Sequence, residues 1–328
     1  MPEFKIHHVT RYSYESPVRD SANQIILYPI QDEYQTVIKH QLKISGEPHV
    51  DTHIDHYGNE IGAFTYIEPH THLEISSKVW VTTKHRMFPV DDVLASQQWA
   101  DLLNLRYEVS YIDFLRQEYF EGLAEMQAIV ANQTQSNETP YQTAVRYCKY
   151  VYENFEYIKG VTTVETTLDE IWKLKAGVCQ DFAHILMEML RVINVPARYV
   201  SGYICTTKST SMRGEGATHA WVEAYIPNYG WLGLDPTNNI IANENHVRLA
   251  VGRNFTDCTP VKGVYKGASF HTLEVTVSVG NEDDLEEPVD YENVHHDVPV
   301  VKPIKPVVKN SYREYLEMIQ QQQQQQQQ

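Results

Sequence analysis

The sequence predicts an α+β protein in which an antiparallel β domain precedes a core built from one buried helix and an antiparallel sheet. Three observations carry that reading. Residues 1–85 mix β-branched and aromatic residues with polar alternation. From residue 91 to about 157 the apolar spacing becomes helical. Beyond Phe182 a strongly apolar helix leads into three strand-like segments.

In the first part, HHVTRYSYE, IKHQLKISG and SSKVWVTTK read as strands, with turns at Gly46-Glu47-Pro48 and Tyr57-Gly58-Asn59. A sandwich-like β domain is expected over residues 1–85, then a helical connection over 86–138. The core is expected over 139–280. Thr139-Pro140 reads as an N-cap followed by proline at the first helical position. Ala144, Cys148, Val151 and Phe155 then share one helix face. Thr167 and Glu170 match a capping box that opens a short helix, which Gly177 can end.

The next helix is the informative one. Between Phe182 and Ile193 its polar residues are His184, Glu188 and Arg191, a spacing that predicts one narrow wet stripe on a buried helix. ARYVSGYIC, ATHAWVEAYIP and GWLGLD follow as three antiparallel strands, with a further strand expected over His271 to Val279. Residues 281–328 hold an acidic stretch, a Val/Lys/Pro segment and a glutamine run from Gln320. That composition cannot support a packed core and predicts a flexible tail, with a short helix at Ser311 to Ile319.

Composition bounds the function. With 42% hydrophobic and 21% charged residues the chain reads as globular. A net charge of −16 excludes a large non-specific nucleic-acid footprint, so no nucleic-acid partner is expected. The N-terminus shows no apolar signal segment, and no run reaches the roughly 18 residues of a membrane span, so no membrane partner is expected. Cys148, Cys179, Cys205 and Cys258 are widely spaced without a CxxC pair, which fits free thiols in a reducing cytoplasm.

Cys179 lies near the start of the buried helix, where the dipole and free N–H groups favour thiolate and can stabilise an oxyanion. Alone, it reads more readily as a small core cysteine. A thiolate nucleophile needs a base held by a third group. Along the strand from Ala217 to Ile226, Ala220, Val222, Ala224 and Ile226 take one face, and His219, Trp221, Glu223 and Tyr225 the other. A hairpin through Asn228-Tyr229-Gly230 would bring Asp235 beside His219, where it can fix the imidazole tautomer. Alone, Asp235 is a turn residue before proline.

Three segments together carry a resemblance: Gly177-Val178-Cys179-Gln180-Asp181-Phe182-Ala183, Thr218-His219-Ala220-Trp221-Val222-Glu223 and Gly230-Trp231-Leu232-Gly233-Leu234-Asp235-Pro236-Thr237. Their order and spacing resemble the signature blocks of the transglutaminase-like superfamily over residues 140 to 240. Residues 1–85 resemble the N-terminal region of its bacterial members. The resemblance implies a papain-like core with Cys179, His219 and Asp235 as a catalytic triad acting through a thioester. It implies a peptide or protein amide as the substrate partner, with no cofactor or metal required. Trp221 and Tyr203 are the candidate substrate-binding side chains, with core packing the competing role for Trp221. Asp181 is assigned to the helix dipole rather than to chemistry.

The histidine pairs His7-His8, His70-Thr71-His72 and His295-His296 lack a third ligand at useful spacing, and His53, Asp55 and His56 read as a polar turn before Tyr57-Gly58-Asn59 rather than as a metal site. Residues 207–216 are polar and glycine-bearing and are expected to form a specificity loop beside the cleft. Three functions compete: an amide hydrolase, a protein-glutamine γ-glutamyltransferase using the same triad, and an idle binding module. The oligomeric state is not legible in the sequence.

Overall fold

β-branched and aromatic residues dominate the first part of the chain, and they build its longest strand. A computed structural model describes residues 1–133, 137–205, 212–214 and 217–280. The predicted tail and helix beyond residue 280, and most of the 207–216 loop, lie outside the described residues. Strand β1 (Glu3–Ile25) is followed by β2 (Gln35–Ile44), β3 (Asp51–Ile54), β4 (Glu60–Tyr66) and β5 (His70–Thr83). β1 pairs with β5 from Glu3 to Ser13 and with β4 from Ser21 to Ile25, its register breaking after Ser13. Bulges of this kind bend a strand. Phe4, Ile6, Val18, Ile25, Phe64 and Ile75, drawn from both halves, share one apolar cluster.

Helices α1 (Ala95–Leu105), α2 (Val109–Leu115) and α3 (Leu123–Gln133) make the connection. α4 (Pro140–Asn154) begins at the expected cap, where Thr139 Oγ1 accepts the Gln142 N–H at 3.3 Å and Gln142 Oε1 returns the bond at 3.3 Å. Its predicted apolar face, Ala144, Cys148, Val151 and Phe155, is buried. After β6 (Glu156–Tyr157), α5 (Leu168–Leu174) carries the expected Thr167/Glu170 box. Gly177 does not end α5. Lys175 does so in the left-handed region at φ 50°, which frees β7 (Ala176–Gly177) to pair in parallel with β6.

α6 (Cys179–Val192) packs on a sheet of order β11-β10-β9-β8-β12. The strands are β8 (Ala197–Ile204), β9 (Thr218–Ile226), β10 (Gly230–Asp235), β11 (Ile240–Ile241) and β12 (His246–Gly252). The β9–β10 hairpin runs in register from Ile226↔Gly230 to Val222↔Leu234. Asn228 at φ 64° and Gly230 at φ 95° make its turn. Ala220, Val222, Ala224 and Ile226 join Phe182, Ile185, Leu186 and Met189 in one core, so the predicted apolar face of β9 meets α6.

Two expectations are corrected here. The polar stripe of α6 is not wet: Glu188 is 1% and Arg191 5% exposed. They pair at 2.8 Å, and Arg191 also donates to the carbonyls of Phe114, Ala197 and Arg253 while Glu188 accepts the Glu118 N–H. A buried charge is tolerated only with such partners. The strand expected near His271 forms but does not join the core sheet. β13 (Val261–Lys266) and β14 (His271–Gly280) both pair with β1, so the last two strands of the expected 139–280 core complete the N-terminal sheet instead.

β12 is the edge of the core sheet, and two side chains of the N-terminal domain take its backbone groups. Gln35 bonds the Arg248 N–H and carbonyl, each at 2.8 Å. Asn59 does the same for Val251, at 2.8 and 2.7 Å. These amides satisfy an edge that would otherwise be open.

Candidate active site

The candidate nucleophile owes its position to the turn before α6. Asp181 Oδ2 accepts the Val178 N–H at 2.7 Å and the Thr162 hydroxyl at 2.6 Å. This closes the first turn at its dipole-positive end, the structural role expected of Asp181. The space is tight, since a Cβ on Gly177 would fall 2.3 Å from Asp181 Oδ2. Cys179 is the first residue of α6 and the one half-exposed cysteine; Cys148, Cys205 and Cys258 are buried. Burial pushes those three thiols well up.

His219 is the second residue of β9 and is 1% exposed. Its Nε2 lies 2.9 Å from Asp235 Oδ2. Its Nδ1 is buried without a hydrogen bond inside normal limits, and the Cys179 sulfur is the neighbouring thiol that acts on the ring. Catalytic bonds are often loose before substrate arrives. Burial opposes charge on His219, but the Asp235 carboxylate and the Cys179 sulfur outweigh it and lift the pKa to about 10. Gly214, at φ 91°, sits directly on this ring, and a Cβ there would come 2.4 Å from Nδ1. The structure thus brings Cys179, His219 and Asp235 together.

Asp235 ends β10 fully buried. Its Oδ1 accepts the backbone N–H of Thr237 at 2.9 Å and of Asn238 at 3.3 Å. Its Oδ2 receives, besides His219, the Asn238 side-chain amide at 2.8 Å and His246 Nε2 at 3.4 Å. Burial alone would raise this carboxyl, yet the facing imidazoles hold it far below the usual carboxylate range.

Sequence reasoning missed three residues at the site, Tyr157, Asn238 and His246, and reached Gly214 only as part of the 207–216 run expected beside the cleft. Tyr157 reaches it because β6 runs parallel to β7, two residues before Cys179. Burial, reinforced by charge on Cys179, pushes its hydroxyl up to about 12, so it remains a donor. Asn238 Nδ2 also bonds the Arg213 carbonyl at 3.1 Å, tying the 212–214 segment to the Asp235 carboxylate. Asn238 stands one residue past the quoted Pro236-Thr237 block, and that proximity was the available signal.

Trp221, 1% exposed, packs with Val200 and Val251 and lies 6.2 Å from the His219 ring centroid. Tyr203 is not brought to the site. It is buried in the cluster shared with the N-terminal sheet, its hydroxyl 2.9 Å from His8 Nδ1. His8, His7 and His70 are engaged by Tyr203 and Thr10, by Ser76, and by the Glu68 carbonyl. Among the described residues no group of three or more His, Cys, Asp or Glu could hold a metal ion, and no helix is long and apolar enough to cross a membrane.

A thiol at a helix N-terminus, facing a histidine held by a carboxylate on an antiparallel sheet, defines a papain-like transglutaminase fold. The chain belongs to the transglutaminase-like superfamily: residues 127–236 match the family described by that name, and residues 4–82 match the bacterial transglutaminase-like N-terminal region. An uncharacterised protein of Mycobacterium leprae is 30% identical over 85% of this chain and 99% of its own length. A protein-glutamine gamma-glutamyltransferase of Pseudomonas aeruginosa is 30% identical over 28% of this chain and 15% of that protein. A crystal structure described as a "Putative Cysteine Protease from Cytophaga hutchinsonii" superposes with a TM-score of 0.68 at 22% identity, covering 88% of this chain and 94% of its own.

Proposed function

We propose that the protein is a thiol-dependent amide hydrolase acting on peptide or isopeptide-like amides through Cys179, His219 and Asp235. The observation that carries this reading is the His219 ring, bonded through Nε2 to Asp235 and left free at Nδ1 beside the Cys179 sulfur.

The Cys179 thiol gives its proton to His219 Nδ1, and the sulfur attacks the amide carbonyl. Charge develops on the carbonyl oxygen, where the open N–H groups of the first α6 turn and the Tyr157 hydroxyl can receive it. The C–N bond breaks, the amine leaves with the proton from Nδ1, and a thioester remains on Cys179. Water attacks the thioester while Nδ1 takes its proton, and collapse releases the acid and returns the thiol. Asp235 fixes the ring and stabilises its cationic form throughout. With a glutamine side-chain amide as the acyl donor, loss of ammonia and attack by an amine in place of water would make the reaction γ-glutamyl transfer. The stretch shared with the Pseudomonas transferase keeps that second reading open to test. Unpaired thiols at Cys148, Cys205 and Cys258 support a reducing, cytoplasmic setting.

The test is turnover of a peptide and isopeptide library with and without a labelled amine. Acid product that disappears in Cys179→Ala supports hydrolysis. Amine incorporation exceeding acid release supports transfer. Turnover retained in Cys179→Ala ends both readings.

A further inference from the structure

β12 returns to the far side of Asp235 and presents a second imidazole. His246 Nε2 lies 3.4 Å from Asp235 Oδ2, the oxygen that also takes His219 Nε2 at 2.9 Å. On the other side of the ring, the Asn243 backbone N–H lies 3.2 Å from Nδ1. An amide N–H can only donate and a carboxylate can only accept. The neutral tautomer with its proton on Nε2 meets both demands. Asn243 Oδ1, 3.3 Å from Nδ1, already accepts the Asn245 N–H at 2.9 Å.

The ring has little room to turn. It is 6% exposed and meets the Trp221 indole edge-on, with centroids 5.2 Å apart. The strand that carries it is gripped by Gln35 at Arg248 and by Asn59 at Val251, so the N-terminal domain holds His246 in place. Asp235 from β10 and His219 from β9 face His246 directly. Glu223 of β9, Arg248 of β12 and Arg86 line the small cavity on its open side.

We propose that His246 is a positioning residue, a neutral imidazole that donates to Asp235 Oδ2 and shares its negative charge so that His219 can release its proton to the leaving amine. A hydrogen bond to a carboxylate stabilises its charged form, so an Asp235 already served by His246 has less need of the His219 proton. Without His246, the charge on Oδ2 falls on His219 and its imidazolium becomes a weaker acid. The leaving-amine clause rests on the hydrolase reading; the shared carboxylate does not.

The test therefore reads the histidines, not turnover, and it keeps its meaning even if every amide proves inert. In protein with ¹⁵N-labelled histidine, the His246 spectrum is expected to show the proton on Nε2 at about pH 7. A proton on Nδ1 would overturn the proposal. In a Cys179→Ala background, His246→Phe is expected to raise the midpoint of the His219 titration by about 0.5 pH unit or more. His246→Gln, which keeps a donor, is expected to leave the midpoint where it was. A midpoint unmoved or lowered in His246→Phe, or equal displacement in both variants, would reduce His246 to a packing residue. If His246→Phe does not fold, the tautomer in the unaltered ring still decides.

Discussion

Replacing Asp235 by asparagine keeps the shape of the site and removes its charge. The rise of the His219 pKa from 6.5 to about 10 corresponds to roughly 5 kcal/mol in favour of the imidazolium. After burial, which works the other way, Asp235 is the first contributor to that balance. In Asp235→Asn burial prevails, and the ring is neutral at pH 7 instead of cationic. The amide can also bond the wrong imidazole tautomer. Loss of a triad carboxylate in this way lowers turnover by about 10⁴-fold, and a similar loss is expected here. Two assays read it: kcat/KM on an amide substrate, and the pH profile of Cys179 alkylation by iodoacetamide. The wild-type profile is expected to keep its imidazolium-dependent limb up to about pH 10. In Asp235→Asn that limb is expected to move below about pH 6.5. A variant with turnover within about tenfold of wild type and an unmoved limb would refute the assignment of Asp235.

Further consequences follow from the same structure. Tyr157→Phe removes one candidate oxyanion donor, so kcat is expected to fall by roughly 10²-fold while Cys179 alkylation stays near wild type. Glu188→Ala leaves the Arg191 guanidinium buried without its carboxylate, at a cost of about 3–5 kcal/mol, read as a lower urea midpoint. His8 is buried and His184 half-buried, and desolvation lowers each to about 4. Their unfolded forms take up protons below about pH 6.5 and the folded forms do not until about pH 4, so stability is expected to fall across that window. His184→Gln should flatten part of this loss in thermal melts between those pH values.

What the sequence disclosed follows from what local patterns can encode. The α4 and α5 caps are written in adjacent residues, and Thr139, Gln142, Thr167 and Glu170 bond as their spacing implied. The β9–β10 hairpin is likewise local, and it delivers Asp235 to His219. Partners distant in sequence were not legible. Alternation identifies a strand at His271–Gly280 but not that β1 is its neighbour. Tyr203 was assigned to the substrate because nothing in its own strand announces His8. Glu188 and Arg191 looked solvated because what satisfies them lies outside their helix: the Glu118 N–H for Glu188, and the carbonyls of Phe114, Ala197 and Arg253 for Arg191. His246 is silent for the same reason: its meaning depends on an edge strand held by residues near positions 35 and 59.

The most direct test is site-resolved alkylation of the folded protein by limiting iodoacetamide at about pH 7, with modified peptides identified by mass spectrometry. Cys179, half-exposed beside His219, is expected to react well over tenfold faster than Cys148, Cys205 and Cys258. It is also expected to lose that advantage in His219→Ala. A Cys179 that reacts no faster than the buried thiols, or whose rate ignores the loss of His219, would contradict the thiol–imidazole pair.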